Sequence, residues 1–221
     1  MKRGFLALLV SLIARIGSSM LLFVLIAREW GALRFGEFMY LFSVAAVLVL
    51  VCEFGFTQQI LRDIGRSPDS AGEQMGAFLG AKIWLTLLDL IFVVLFFLFS
   101  GLNLASGVLL GLLFVAAALV SYSDFLFACY RALGRYEWET IVTVQGNILY
   151  FISGALALYL SESVILLAFA LVLARALQLG LTARRFYHLI DTPVRPNLDP
   201  RSAVTVIRRS LPFGADVAAA A

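Results

Sequence analysis

Polar and reactive residues are scarce in this chain. Charged residues fill only 14% of its 221 positions and there is one histidine, against 62% hydrophobic residues and a mean hydropathy of +0.97. A soluble domain carries about 25% charged and about 45–50% apolar residues, so the shortfall of charge excludes an ordinary soluble fold and points to an integral membrane protein. The two cysteines, Cys52 and Cys129, both fall in apolar stretches with no CxxC spacing, which excludes a thiolate metal site and leaves them as small apolar helix residues. His188 lies in the polar stretch after a helix and reads as a solvated side chain. With no second histidine and no DxD pair, the sequence offers no catalytic centre, metal site or cofactor site, which argues against a membrane glycosyl- or acyltransferase. The net charge of +3 comes without any nucleic-acid-binding motif, so the basic excess reads as membrane-flanking loops. The first apolar run is expected to be one uncleaved transmembrane helix. Lys2 and Arg3 precede the apolar run from Phe5 to Ala14, but Arg15 interrupts it and it resumes to Ala27 without a small-x-small cleavage site.

What is present is a series of long apolar runs. Crossing a bilayer as a helix takes about 20 such residues, and six stretches qualify: Gly4–Ala27, Glu37–Leu61, Ala77–Ser100, Ser106–Ala128, Thr140–Leu160 and Ser163–Tyr187. The expected fold is therefore all-α, a polytopic membrane helix bundle of six transmembrane helices plus the start of a seventh. The expected division is a six-helix transmembrane lobe over 1–189, a cytoplasmic linker over 190–203 with Pro193, Pro196 and Pro200, and a truncated start of a seventh helix over 204–221. The last apolar stretch is too short to cross, so the chain is expected to be a piece of a longer protein. With the N-terminus in the cytoplasm, Lys2, Arg3, Arg62, Arg66, Arg131, Arg135 and the basic residues from Arg184 onward lie inside, and only Arg28 and Arg34 lie outside. Small-xxx-small pairs at Gly76/Gly80 and Gly107/Gly111 predict close helix–helix contacts.

Six charges sit inside these apolar helices: Arg15, Glu53, Lys82, Asp89, Asp124 and Arg175. At roughly 2.5–3.5 kcal/mol each near mid-membrane, exposing all six to lipid would cost on the order of 15–20 kcal/mol. They are expected in the bundle interior or a water-filled cavity. Polar neighbours at helical spacing strengthen this reading: Ser11, Arg15 and Ser18; Lys82 and Asp89; Ser121 and Asp124; Thr140, Thr143 and Asn147; Arg175, Gln178 and Thr182. Alternatives remain at several positions. Serine and threonine can simply glue helices, Lys82 can snorkel to the near interface, and Asp124 can pair with Arg131 or Arg135 at its helix end. Arginine suits phosphate because its planar fork binds oxygens two at a time, so Arg15 and Arg175 favour an anionic substrate. Lys82, Asp89, Asp124 and Glu53 are candidates for gating or ion coupling.

Four segments carry a family resemblance. They are Arg34-Phe35-Gly36-Glu37-Phe38-Met39-Tyr40, then Glu53-Phe54-Gly55-Phe56-Thr57-Gln58-Gln59-Ile60-Leu61-Arg62, then Arg131-Ala132-Leu133-Gly134-Arg135-Tyr136-Glu137, then Arg208-Arg209-Ser210-Leu211-Pro212-Phe213-Gly214. In this order they resemble the polysaccharide-export flippases, the Wzx-type O-antigen transporters of the multidrug/oligosaccharidyl-lipid/polysaccharide exporter superfamily. Glu53 stands where that pattern more often has aspartate. The resemblance implies two six-helix lobes about a central cavity, of which this chain would be the first. It also implies an undecaprenyl-pyrophosphate-linked oligosaccharide as substrate, with pyrophosphate near Arg15 or Arg175 and sugars against Gln178, Asn147 and aromatic edges. Implied partners are membrane lipids, the missing C-terminal lobe or a homodimer partner, and polysaccharide polymerase machinery, all at the inner (plasma) membrane. A cation-coupled multidrug exporter lobe and a non-transporting scaffold that dimerises are the competing readings.

Overall fold

The computed structural model describes residues 2–53, 55–190 and 194–220, with side chains from Leu9 to Ser210 apart from Val51, Cys52 and the gaps. Among these residues there is no strand. Helices run α1 Lys2–Glu53, α2 Phe56–Arg66, α3 Ala71–Ser100, α4 Leu104–Ala132, α5 Tyr136–Leu160, α6 Val164–Leu189 and α7 Pro200–Ala220. Five stretches are long and apolar enough to cross a membrane.

The first of these, Leu9–Leu50, contains two crossings. Its backbone leaves the helical region at Gly31, at φ 73 and ψ 173, a conformation open to glycine and costly for a residue with a Cβ. Phe23 and Phe42 then lie 5.3 Å apart, edge to face. Nineteen residues of straight helix would separate them by about 28 Å, so the chain folds back at Gly31 into an antiparallel hairpin. The Phe23–Phe35 and Trp30–Phe38 ring contacts line the same hairpin. Six crossings result, and an all-α polytopic membrane bundle is the architecture.

Local chemistry sets the other boundaries. The expected second span does not run to Leu61. Gly55, left-handed at φ 73, ends the path, and α2 follows as a separate helix. Eleven residues are too few to span. α2 buries Phe56, Gln59, Ile60 and Ile64 and keeps Thr57, Gln58, Arg62 and Arg66 off the core, so it is an amphipathic helix at the end of the bundle. α4 starts two residues before the expected Ser106, because the Asn103 side chain accepts the Ser106 N–H at 2.8 Å. That is an N-cap. Ser163 caps α6 in the same way, accepting from the Leu166 N–H. α5 begins at Tyr136, four residues before the expected Thr140, and α3 at Ala71, six before Ala77. His188 falls in the last turn of α6, exposed, rather than after it.

The expected linker at 190–203 includes Asp191–Pro193, which lie outside the described residues. Residues 194–199 form neither helix nor strand, and α7 already begins at Pro200. The Gly76/Gly80 pair serves this segment and not a helix. A Cβ on Gly76 would collide with the Arg195 carbonyl, and one on Gly80 with the Asn197 carbonyl. The Asn197 N–H donates to the Gly76 carbonyl at 3.0 Å, and one turn beyond Gly80 the Trp84 indole N–H donates to the Leu198 carbonyl at 3.2 Å. Gly107 of α4 admits the Phe97 ring of α3, a close helix–helix contact as expected, while Gly111 has open space around it. The Gly76/Gly80 pair makes no such contact with a helix.

Burial separates into two apolar clusters. One contains Leu22, Phe38, Leu113, Tyr150 and Leu171 with their neighbours. The other contains Phe56, Ile60, Met75, Phe127, Tyr130 and Phe186, at the end of the bundle occupied by α2 and α7. On α3 the apolar clusters stop at Leu85 and resume at Val93; on α4 they stop at Ala118 and resume at Phe125. The gap between them holds the charged side chains.

Candidate functional site

Within that gap a cavity of about 300 Å³ opens between helices α1, α2, α3, α4 and α5. Its walls include Ser11, Arg15, Glu53, Thr57, Lys82, Ser121, Asp124, Arg131, Glu139 and Thr143, with Leu12, Phe56, Phe125 and Phe127. Three cations and three carboxylates thus face one space. The hairpin at Gly31 explains how residues as distant in sequence as Arg15 and Glu53 meet there.

Arg15 and Asp124 form the central pair. One guanidinium nitrogen lies 2.6 and 2.8 Å from the two carboxylate oxygens. The pair is only part-buried, with side-chain exposures of 43% and 27%, so it borders the cavity and is not sealed in a dry core. Asp124 therefore takes Arg15 from 109 residues away as its partner, and not Arg131 or Arg135. Arg131 is held instead by Glu139, at 3.3 Å across the α4–α5 turn.

Lys82 does not snorkel. Its side chain is 1% exposed, its ammonium donates to the Ser121 hydroxyl at 2.8 Å, and it lies over the Tyr122 and Phe125 rings. Thr86 and Tyr122 share a hydrogen bond one turn above. Asp89 is fully buried on the same face of α3 as Lys82 and Leu85, as the seven-residue spacing predicts. It is not in the cavity wall.

Arg175, Gln178 and Asn147 form a second cluster between α5 and α6, also outside the cavity wall. The Arg175 guanidinium donates to Gln178 at 2.7 Å and to the Asn147 side-chain carbonyl at 3.4 Å, and it stacks 4.1 Å over the Tyr150 ring. Asn147 donates in turn to the Thr143 carbonyl, and Ser18 donates to Asn147. Gly146 lets Gln178 approach the α5 backbone. Arg175 is 8% exposed and surrounded by neutral acceptors and an aromatic face, which is how a packed bundle holds a cation without a carboxylate.

The structure thus divides the sequence candidates. Arg15, Glu53, Lys82 and Asp124 come together at the cavity; Asn147, Arg175 and Gln178 come together beside it; Asp89 lies deeper on α3. Two wall residues escaped the sequence reading. Arg131, read as a cytoplasmic-side cation, lies in the last turn of α4, and Glu139, which the sequence reading does not single out, lies in the first turn of α5. Their eight-residue separation across a glycine turn at Gly134 was the available signal.

No curated protein and no solved structure matches this chain. A family profile described as polysaccharide biosynthesis protein matches residues 1–220. Since the match covers all but the last residue of a bundle with a charged interior, the chain belongs to the polysaccharide biosynthesis protein family, as a multi-pass membrane protein.

Proposed function

We propose that this bundle is one lobe of a flippase that moves an undecaprenyl-pyrophosphate-linked oligosaccharide across the inner membrane, with its N-terminus in the cytoplasm. The observation that carries this is the cavity itself: three cations and three carboxylates around about 300 Å³, in a protein of a polysaccharide biosynthesis family. Asp124 and Glu139 hold Arg15 and Arg131 oriented at the cavity wall. A pyrophosphate entering the cavity offers them more oxygens than Asp124 or Glu139 does, and the arginine fork suits it. Lys82 supplies a third positive group. The Asp124 and Glu139 carboxylates so released, with Glu53 in the same wall, become groups on which a proton or a metal cation can act during the return step.

In this reading the pyrophosphate goes to Arg15, with Lys82 and Arg131. Arg175 is engaged by Gln178, Asn147 and Tyr150 and acts as a structural cation of the α5–α6 interface. The other side of the cavity comes from a second lobe, either a continuation of the chain or a second copy. The N-in orientation rests on the concentration of basic residues at the α2 and α7 end.

The test is complementation of a flippase-deficient strain by the full-length protein carrying Arg15→Ala, Lys82→Ala or Arg131→Ala. Loss of surface polysaccharide with accumulation of the lipid-linked intermediate, at normal protein level, is expected. Full export by the Arg15→Ala/Lys82→Ala double variant would exclude the cavity as the path for the charged head.

A further inference from the structure

A second recess lies apart from the central cavity, at the end of the bundle. It is a groove of about 620 Å³ between α2, the start of α3 and α7, walled by Arg62, Asp63 and Arg66 of α2, Phe78 of α3, and Val206 and Arg209 of α7. The cavity balances its charges, but this groove does not: three arginines face one aspartate. Arg62 is paired with Asp63 at 3.0 Å, so the excess sits with Arg66 and Arg209, which approach from opposite walls.

The groove is built and not a chance gap between surface arginines. Gln59 of α2, 3% exposed, accepts a hydrogen bond from the buried Ser210 hydroxyl of α7, and Ser210 also donates to the Val206 carbonyl. That contact fixes the two basic helices at one separation. Gln59 also donates to Asp63. Phe56, Ile60 and Ile64 anchor α2 from below. An amphipathic helix too short to span, resting across the ends of the spanning helices, lies where phospholipid headgroups lie. Phe78 and Val206 give the groove an apolar side, which suits the glycerol and first acyl carbons of a lipid and does not suit a free inorganic anion.

We propose that this groove binds the headgroup phosphate of an anionic phospholipid, held by Arg66 and Arg209 with Arg62 beside them, so that the lipid bridges α2 to α7. Such a lipid would fix the position of α7 relative to the bundle, and with it whatever α7 leads into. A basic residue near an anionic membrane surface contributes a several-fold gain in affinity, so removing three should weaken binding on the order of a hundredfold.

The experiment uses the protein purified in a neutral detergent and titrated with dioctanoyl phosphatidylglycerol, dioctanoyl phosphatidylcholine or glycerol 1-phosphate. Retention is read by native mass spectrometry and stabilisation by the thermal midpoint. Phosphatidylglycerol alone is expected to be retained and to raise the midpoint. That effect should fall several-fold in Arg209→Gln and on the order of a hundredfold in Arg62→Gln/Arg66→Gln/Arg209→Gln, with unchanged helix content. A control variant, Arg184→Gln/Arg201→Gln, removes charge from the same end of the bundle outside the groove and should bind as the parent does. Equal binding of phosphatidylcholine, undiminished binding by the triple variant, or an equal loss in the control would overturn the proposal. Glycerol 1-phosphate binding as tightly as the lipid would overturn the lipid assignment.

Discussion

Adding one methyl group at Gly80 tests the account of the 194–199 segment. In an ordinary helix interior, alanine in place of glycine favours the helix by about 1 kcal/mol. At Gly80 the new Cβ would sit 2.6 Å from the Asn197 carbonyl carbon and closer still to its oxygen, both backbone atoms that cannot rotate aside. The segment must lift. Overpacking of this kind costs about 1–3 kcal/mol. Lifting also breaks the Asn197–Gly76 and Trp84–Leu198 hydrogen bonds, each worth about 1 kcal/mol. The helix gain is common to both forms and the lost hydrogen bonds are common to both chains, so the clash alone shifts the balance, and about 1–3 kcal/mol corresponds to a rise of roughly 5- to 150-fold in the lifted population. The assay is limited trypsin cleavage at Arg201, which is exposed just after the segment, with Trp84 emission as a second probe. Gly111→Ala is the control, since nothing lies within 4 Å of its added Cβ; it should be neutral or stabilising. If Gly80→Ala is cut at the parental rate, or melts above the parent, the packing argument is wrong.

Other outcomes follow from single contacts. Arg15→Ala should lower the thermal midpoint more than Arg15→Ala/Asp124→Ala does, because the single change leaves a partly buried carboxylate without its cation; a double-mutant cycle reads the coupling, expected between the values of about 0.2–1 kcal/mol for exposed pairs and about 3–5 kcal/mol for buried ones. Arg175→Met should cost on the order of 2–3 kcal/mol, since it strands the Gln178 and Asn147 acceptors; combination with Tyr150→Leu should be less than additive, and strict additivity would deny the stacking contact. Tyr130→Phe removes a 2.6 Å hydrogen bond to the Thr182 carbonyl in the second core and should destabilise by about 1 kcal/mol or somewhat more in a detergent melt. A thermal midpoint unchanged by Tyr130→Phe would place that hydroxyl in contact with water.

The central pair shows how much of the site was readable in one dimension. Helical spacing put Lys82 and Asp89 on one face of α3, and both are buried on that face. The cost of lipid-exposed charge was enough to send Arg15 and Asp124 inward. Neither argument could choose partners. Asp124 has Arg131 seven residues away, a neighbour on its own helix, yet it binds Arg15 because the hairpin at Gly31 and the α1–α4 packing bring that guanidinium closer. The same limit applies to Arg175. Its residue type suits phosphate, and only the placement of Gln178, Asn147 and Tyr150 around it shows that one of its terminal nitrogens is already engaged and its face stacked.

By itself the sequence determined that this is a membrane bundle with a polar interior, because apolar run length and the energetic cost of bare charge in lipid are properties of local composition. Of the positive-φ glycines, Gly31, Gly101 and Gly134 fall in connections that run length already sets, whereas Gly55 ends a helix that run length alone carries on to Leu61. Tertiary structure alone decided which charges meet, that α2 packs at the bundle end, and that Gly76 and Gly80 seat a linker segment rather than a helix. Those outcomes depend on the positions of segments more than a hundred residues apart, and a helical repeat of 3.6 residues carries no information over that distance.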